Sequence, residues 1–200
     1  MIFLDYAHSP DAYFRTLNAL EENFSRPLKV LFGAGGGRDK SKRPKMAEVV
    51  EKYSIECYLA PDNPRFEDIE LINNDVIKGF SNENHHIFND RKEALIFALT
   101  NLKSDEILII FGKGTEEYQE INGTKHFYSD RDIIKEFYEN RKVILLTSSP
   151  YSIFMSECPY IDGVIIDKKL PRWNLFFLYN LKKLLSKYNF SKVFDLQNSG

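Results

Sequence analysis

Asp62-Asn63-Pro64-Arg65 groups a carboxylate, an amide and a guanidinium within four residues. The first two offer acceptors and donors, and the third offers a planar fork that fits a carboxylate. Pro61 and Pro64 stiffen the segment and hold the residues before them extended. A rigid loop of this kind can recognise a ligand bearing both an ammonium and a carboxylate, such as an amino acid. The competing reading is a capped turn with a surface arginine. A second candidate runs from Gly33 to Lys42, where Gly33, Gly35, Gly36 and Gly37 let the backbone approach a ligand closely and Arg38, Lys40 and Lys42 supply anion contacts. It can equally be a flexible basic loop. It lacks the Gly-Lys-Ser/Thr ending of a phosphate-binding P-loop and the spacing of a dinucleotide fingerprint. A third candidate is Gly112-Lys113-Gly114-Thr115-Glu116. Asp5 and His8 stand at a further corner, placed to meet a ligand or, for Asp5, simply to fix a turn. His85 and His86 are adjacent, so on a strand they face opposite ways and cannot share a metal; they read as structural. No metal site is expected.

Each candidate follows a run with strand character. Ile2–Tyr6 precedes Asp5 and His8, Leu28–Phe32 precedes the glycine loop, Ile55–Leu59 precedes Asp62, and the apolar Glu106–Phe111 precedes Gly112. Helical spacing follows each of the first three. Ser9 is an N-cap with Pro10 at the first helical position, ahead of Tyr13, Leu17, Leu20 and Phe24. Pro44 opens a helix to Tyr53, and Glu67–Phe80 forms the next. His85–Phe88 is a weak strand, after which Asp90 caps a helix carrying Ala94, Leu95, Phe97 and Ala98. Asn122-Gly123 centres a hairpin within Glu120–Tyr128, and Ser129–Asp132 caps a helix to about Asn140. This alternation predicts an α/β fold with a mostly parallel sheet and helices on both faces. Ligands of such sheets bind outside the carboxyl ends of the strands, so the loops are expected to converge on one rim.

Five motifs in one order carry a family resemblance: Asp5-Tyr6-Ala7-His8-Ser9-Pro10-Asp11; Phe32-Gly33 through Lys40; Lys42-Arg43-Pro44; Asp62-Asn63-Pro64-Arg65; and Gly112-Lys113-Gly114 with Glu116 and Tyr118-Gln119. Residues 1–140 thereby resemble the C-terminal domain of the Mur ligases, of the MurE type. The resemblance implies a Rossmann-like domain that holds the incoming amino acid in peptidoglycan precursor synthesis. The Asp-Asn-Pro-Arg form resembles that of members adding meso-diaminopimelate. It implies that Arg38, Asp62, Asn63, Pro64, Arg65, Gly112 and Glu116 line the diaminopimelate site, the arginines on carboxylates and Asp62 and Glu116 on ammonium groups. Asp5 and His8 would lie near the adenine nucleotide. ATP and magnesium are the parent family's cofactors, and UDP-MurNAc-dipeptide is its other substrate. The family's UDP-binding and ATPase domains have no counterpart here, so these residues are expected to orient the amine but to contain no catalytic residue. Thr115 stands where the family usually has histidine.

Near Asn140 the text changes. Leu145-Leu146-Thr147-Ser148, Tyr160-Ile161-Asp162-Gly163-Val164 and Asp195-Leu196-Gln197 resemble the N-terminal half-domain of heptosyltransferases (glycosyltransferase family 9), with a helix expected from Trp173 to about Tyr188. A partial second α/β unit at 141–200 is expected, its competing reading being an ordinary βαβ extension. A net charge of −2 gives no basic field for nucleic acid. No apolar run approaches the roughly 20 residues of a membrane span. Cys57 and Cys158 read as buried thiols. Met1 opens directly on a strand-like run with no positive leader, so a cytoplasmic protein is expected, with residues missing upstream.

Overall fold

Along β5 (Ile107–Phe111) every residue is buried. Ile107, Ile109 and Phe111 pack on one side of the sheet and Leu108 and Ile110 on the other. A strand covered on both faces has no solvent side, which is why its sequence lacks polar alternation. It lies between β1 (Ile2–Asp5) and β2 (Leu28–Phe32) in a five-stranded sheet of order β1-β5-β2-β3-β4, with β3 at Glu56–Leu59 and β4 at His85–Ile87. Every pairing is parallel. This computed structural model describes residues 1–139, 144–148, 163–167, 179–180 and 182–183.

Three helices cover one face: α1 (Pro10–Asn23), α2 (Lys42–Tyr53) and α3 (Ile69–Ile77). Tyr13, Leu17, Met46, Ala47, Val50, Ile72 and Val76 meet Val30, Phe32, Leu59 and Phe111 there, and Tyr13 stacks on Phe111 at 4.1 Å. On the other face α4 (Arg91–Thr100) and α5 (Asp130–Glu139) contribute Ala94, Leu95, Ala98, Leu99 and Ile133 against Leu31, Tyr58, Leu108 and Ile110. The mostly parallel α/β sheet expected from the sequence is therefore present.

The caps explain where helices begin. Ser9 accepts from the Ala12 amide and Asp90 from that of Glu93. The third helix starts at Ile69 rather than Glu67, because Asp68 uses its carboxylate on the Glu70 and Leu71 amides. The second starts at Lys42, two residues before Pro44, which sits in the first turn where its missing N–H costs nothing. His85 stacks on Phe80 and His86 on Tyr58, in agreement with a structural role for both.

Two buried ionic ties hold the frame. The Arg91 side chain is fully enclosed and grips Asp130, with Nε to Oδ1 at 3.1 Å and Nη2 to Oδ2 at 2.8 Å, while Nη2 also donates to the Phe111 carbonyl. Lys29 Nζ lies 2.7 Å from Glu56 and 3.3 Å from Glu106, at the opposite end of the strands. After β5 the chain forms a two-stranded hairpin, β6 (Tyr118–Ile121) and β7 (Thr124–Phe127), turned by Asn122 and Gly123 at positive φ.

The chain divides into two units, Met1–Tyr138 and Glu139–Gly200. The second contains a parallel pair, β8 (Ile144–Ser148) with β9 (Gly163–Asp167). Of the helix expected from Trp173 to Tyr188, residues 179–180 and 182–183 are helical and the rest lies outside the described residues, as do Tyr160-Ile161-Asp162, Asp195-Leu196-Gln197 and Cys158. No helix among the described residues is long and apolar enough to cross a membrane.

Candidate functional site

The strand order puts β5, β2 and β3 side by side with their carboxyl ends on one edge. The loops after them meet there. Gly36 donates its amide to the Asn63 carbonyl at 2.9 Å, and a methyl group at Gly36 would fall 1.9 Å from the Pro64 carbonyl oxygen. Only glycine permits that approach. Gly112 has φ +106 and would place a methyl group 3.4 Å from the Asp62 carboxyl carbon. The convergence expected of the three loops is observed.

Lys113 occupies the centre. Its side chain is fully buried, with Nζ 3.2 Å from Asp62 Oδ1 and 3.6 Å from Glu116 Oε2. It also donates to Asn63 Oδ1. Asp62 Oδ1 has no aligned hydrogen-bond donor, so its tie to Lys113 is an ion pair. Burial lowers the Lys113 ammonium pKa from the ordinary lysine value, and the nearby Asp62 carboxylate works against that shift. Asn63 Oδ1 also accepts the Glu120 amide at 2.9 Å, which turns its Nδ2 toward Glu116 Oε2 at 3.2 Å. Tyr6 and Tyr118 hydroxyls reach the other Glu116 oxygen at 3.2 and 3.4 Å. The Glu116 carboxylate in turn raises the Tyr6 phenol pKa.

Arg65 is half-buried at φ +53. Its amide donates to Glu120 O and its carbonyl accepts from Asn122 N, joining the loop to the hairpin. Its Nη1 donates to Gly36 O at 2.7 Å, and Nε lies 3.4 Å from Glu120. Arg38 is exposed and has no ion-pair or hydrogen-bond partner among the described residues. The Arg65 guanidinium and the Arg38 Cγ lie within 3.0 and 3.7 Å of a point one methyl off Gly35, so the two arginines flank the same glycine. Pro64 is buried against Gly36. Asp5 uses both oxygens within the chain, on the Ala7 amide and the Thr16 hydroxyl. His8 is exposed, and its Nδ1 pairs with the Tyr6 carbonyl. Thr115 is exposed.

Sequence reasoning left two functional side chains without a role. One is Lys113, quoted only as part of a motif; its signal was its place between two glycines at the end of the most apolar strand. The other is Arg43, which is fully buried. It binds Gly35 O at 3.2 Å, Glu67 at 2.9 Å and Asp75 at 3.0 Å, holding the glycine loop to the third helix. Glu67 also accepts the Gly37 amide at 2.6 Å, and that bond together with Arg43 and Lys40 holds its carboxyl at about 2. Among the described residues no group of three or more His, Cys, Asp or Glu is placed to hold a metal ion. The rim offers recognition: a guanidinium unpaired among the described residues, a second partly engaged, and two acids fixed around an internal ammonium.

The family model described as Mur ligase, glutamate ligase domain, matches residues 1–114. The chain is 40% identical over 143 residues to the UDP-N-acetylmuramoyl-L-alanyl-D-glutamate–2,6-diaminopimelate ligase of Helicobacter pylori, covering 71% of this chain and 31% of that protein. It is 43% identical over 137 residues to the like-named enzyme of Chlorobium phaeobacteroides, covering 67% of this chain and 27% of that protein. A solved structure of a UDP-N-acetylmuramoyl-L-alanyl-D-glutamate–2,6-diaminopimelate ligase superposes with a TM-score of 0.65 at 38% identity, over 69% of this chain and 29% of that one. The chain thus spans about three tenths of the length of these relatives.

Proposed function

This chain belongs to the Mur ligase family through its glutamate ligase domain, and from that premise we propose that residues 1–140 form the surface that receives meso-diaminopimelate in peptidoglycan precursor synthesis. Two relatives named as 2,6-diaminopimelate ligases support the choice of ligand. The observation that carries the reading is the pair of arginines flanking Gly35 beside the Asp62–Lys113–Glu116 cluster. Diaminopimelate has two ammonium-carboxylate ends. One is to be acylated, and the other must be read. Arg38, unpaired among the described residues, takes a carboxylate of the end being read, and Arg65 supplies the second donor. Glu116 and Asp62 answer its ammonium, and Asn63, Pro64 and Gly112 shape the floor.

The family's reaction also needs ATP, magnesium and UDP-MurNAc-dipeptide. Among the described residues no nucleotide site is assembled: the sequence carries no P-loop, and Asp5 is engaged by its own turn and the following helix. His8, exposed with its Nδ1 on the Tyr6 carbonyl, remains as the nucleotide-proximal residue. ATP and the UDP-MurNAc-dipeptide belong to the parts of the ligase outside these residues, so the chain alone is expected to bind its amino acid without turnover. Such a ligase works in the cytoplasm, and that is the location proposed. For residues 141–200 the proposal is a segment of the heptosyltransferase type, resting on its motifs and on the parallel pairing of β8 with β9.

Titration calorimetry tests the ligand. Meso-diaminopimelate is expected to bind weakly, because these residues span about three tenths of the relatives' length and only the surplus over ordering and desolvation costs shows as affinity. L-Lysine, which lacks the second carboxylate, should bind at least about tenfold more weakly. Arg38→Ala should lower diaminopimelate affinity about tenfold or more without moving the melting temperature, since among the described residues its guanidinium has no partner to lose. Equal binding of the two amino acids, or an unchanged Arg38→Ala, contradicts the reading.

A further inference from the structure

We propose that Lys113 is a positioning residue that sets the net charge a ligand's end must carry, an inference resting on the amino-acid reading of this rim. The groups converging here are Asp62, Glu116 and Glu120 on the acidic side and Lys113, Arg65 and Arg38 on the basic side, with Arg91 beyond Lys113 already answered by Asp130. Their formal charges cancel. A rim of this balance suits an end whose own charges cancel, one ammonium with one carboxylate.

Lys113 differs from the two arginines in its accessibility. Its side chain has no exposed surface, whereas those of Asp62 and Glu116 retain 11% and 17%. A ligand can reach the acids and cannot displace the lysine between them. One of the two negative charges is therefore answered permanently from below, leaving demand for a single ammonium from above. The same ammonium fixes the acids' neighbour: by donating to Asn63 Oδ1 it directs Nδ2 onto Glu116. Lys113 thus does two separable things, orienting an amide through a hydrogen bond and cancelling a charge. Glutamine at this position retains a donor and drops the charge.

Removing the charge leaves the rim one unit negative. A bare ammonium end, as in L-lysine, then becomes the better match, and the zwitterionic end loses its advantage. Calorimetry on the whole chain with meso-diaminopimelate and L-lysine reads this as a ratio of affinities. In Lys113→Gln the ratio of diaminopimelate to lysine affinity is expected to fall at least about tenfold, with lysine binding held or strengthened. Burial of an unanswered Asp62 can prevent Lys113→Gln from folding, so the comparison is repeated in an Asp62→Asn background, where no carboxylate is orphaned at that position. Asp62→Asn alone leaves Lys113 in excess, and its ratio should rise above wild type. Asp62→Asn/Lys113→Gln should bring it back down by about tenfold. An unchanged ratio between members of either pair, or a parallel loss of both ligands, overturns the role assigned to Lys113 while leaving the amino-acid reading intact. Failure of the wild-type chain to prefer diaminopimelate overturns that reading and this one with it.

Discussion

Asp130→Ala is expected to destabilise the Met1–Tyr138 unit by about 3–5 kcal/mol, the usual consequence of stripping one partner from a fully buried ion pair. Both side chains of the Arg91–Asp130 pair are completely enclosed. Alanine leaves Arg91 with the Phe111 carbonyl as its only acceptor among the described residues and orphans the Tyr128 hydroxyl, which donates to Asp130 at 2.8 Å. The cost arises from a guanidinium held away from water, so it should disappear when the charge itself is removed. Arg91→Met/Asp130→Leu should recover most of the loss, because apolar replacements of both partners are often neutral or better. Urea unfolding monitored by far-UV circular dichroism gives both numbers. A loss under about 1 kcal/mol for Asp130→Ala would mean that water reaches the pair. Because Arg91 also holds the last carbonyl of β5, one residue before Gly112, the single variant should weaken ligand binding as well.

Gly36→Ala is the second large effect. Its methyl group would meet the Pro64 carbonyl at 1.9 Å and the Glu67 Cβ at 3.3 Å, and no side-chain rotation relieves a clash with backbone. The glycine loop must lift from the Asp62–Arg65 loop. That breaks the Gly36–Asn63 backbone bond and the Arg65–Gly36 bond together. A loss of about 1–3 kcal/mol is expected from overpacking, accompanied by loss of detectable diaminopimelate binding. Gly35→Ala is the informative contrast. There the nearest atom is the Arg65 Nη1 at 3.0 Å, the mobile end of a side chain. It should leave the urea midpoint nearly unchanged and weaken binding by moving Arg65. If Gly36→Ala binds and melts like wild type, the two loops do not touch in solution.

The strands and the rim were legible because their signals are local. An unbroken apolar run such as Ile107–Phe111, an N-cap such as Ser9 before Pro10, and three loops at strand ends all show within a few residues of text. The buried ions were not. Arg91 and Asp130 lie 39 positions apart, and Lys113 and Asp62 lie in loops after different strands. An isolated charge in a sequence reads as surface until its partner is found. Arg43 showed in the text only as part of a motif, yet it clamps the glycine loop through Gly35, Glu67 and Asp75. Asp5 was ambiguous for a related reason: whether a carboxylate faces outward or back onto Thr16 depends on the helix turn packed beside it.

Arg65 sits in a left-handed backbone conformation, which costs a residue with a Cβ about 1–2 kcal/mol relative to the right-handed region and costs glycine almost nothing. The hairpin bonds to Glu120 and Asn122 enforce that conformation whatever the side chain. Two selections applied to a library at this position would therefore pull apart. Sorting for heat tolerance enriches glycine or asparagine, sorting for capture of a zwitterion retains arginine, and the distance between the two winners measures what the framework concedes locally to its ligand.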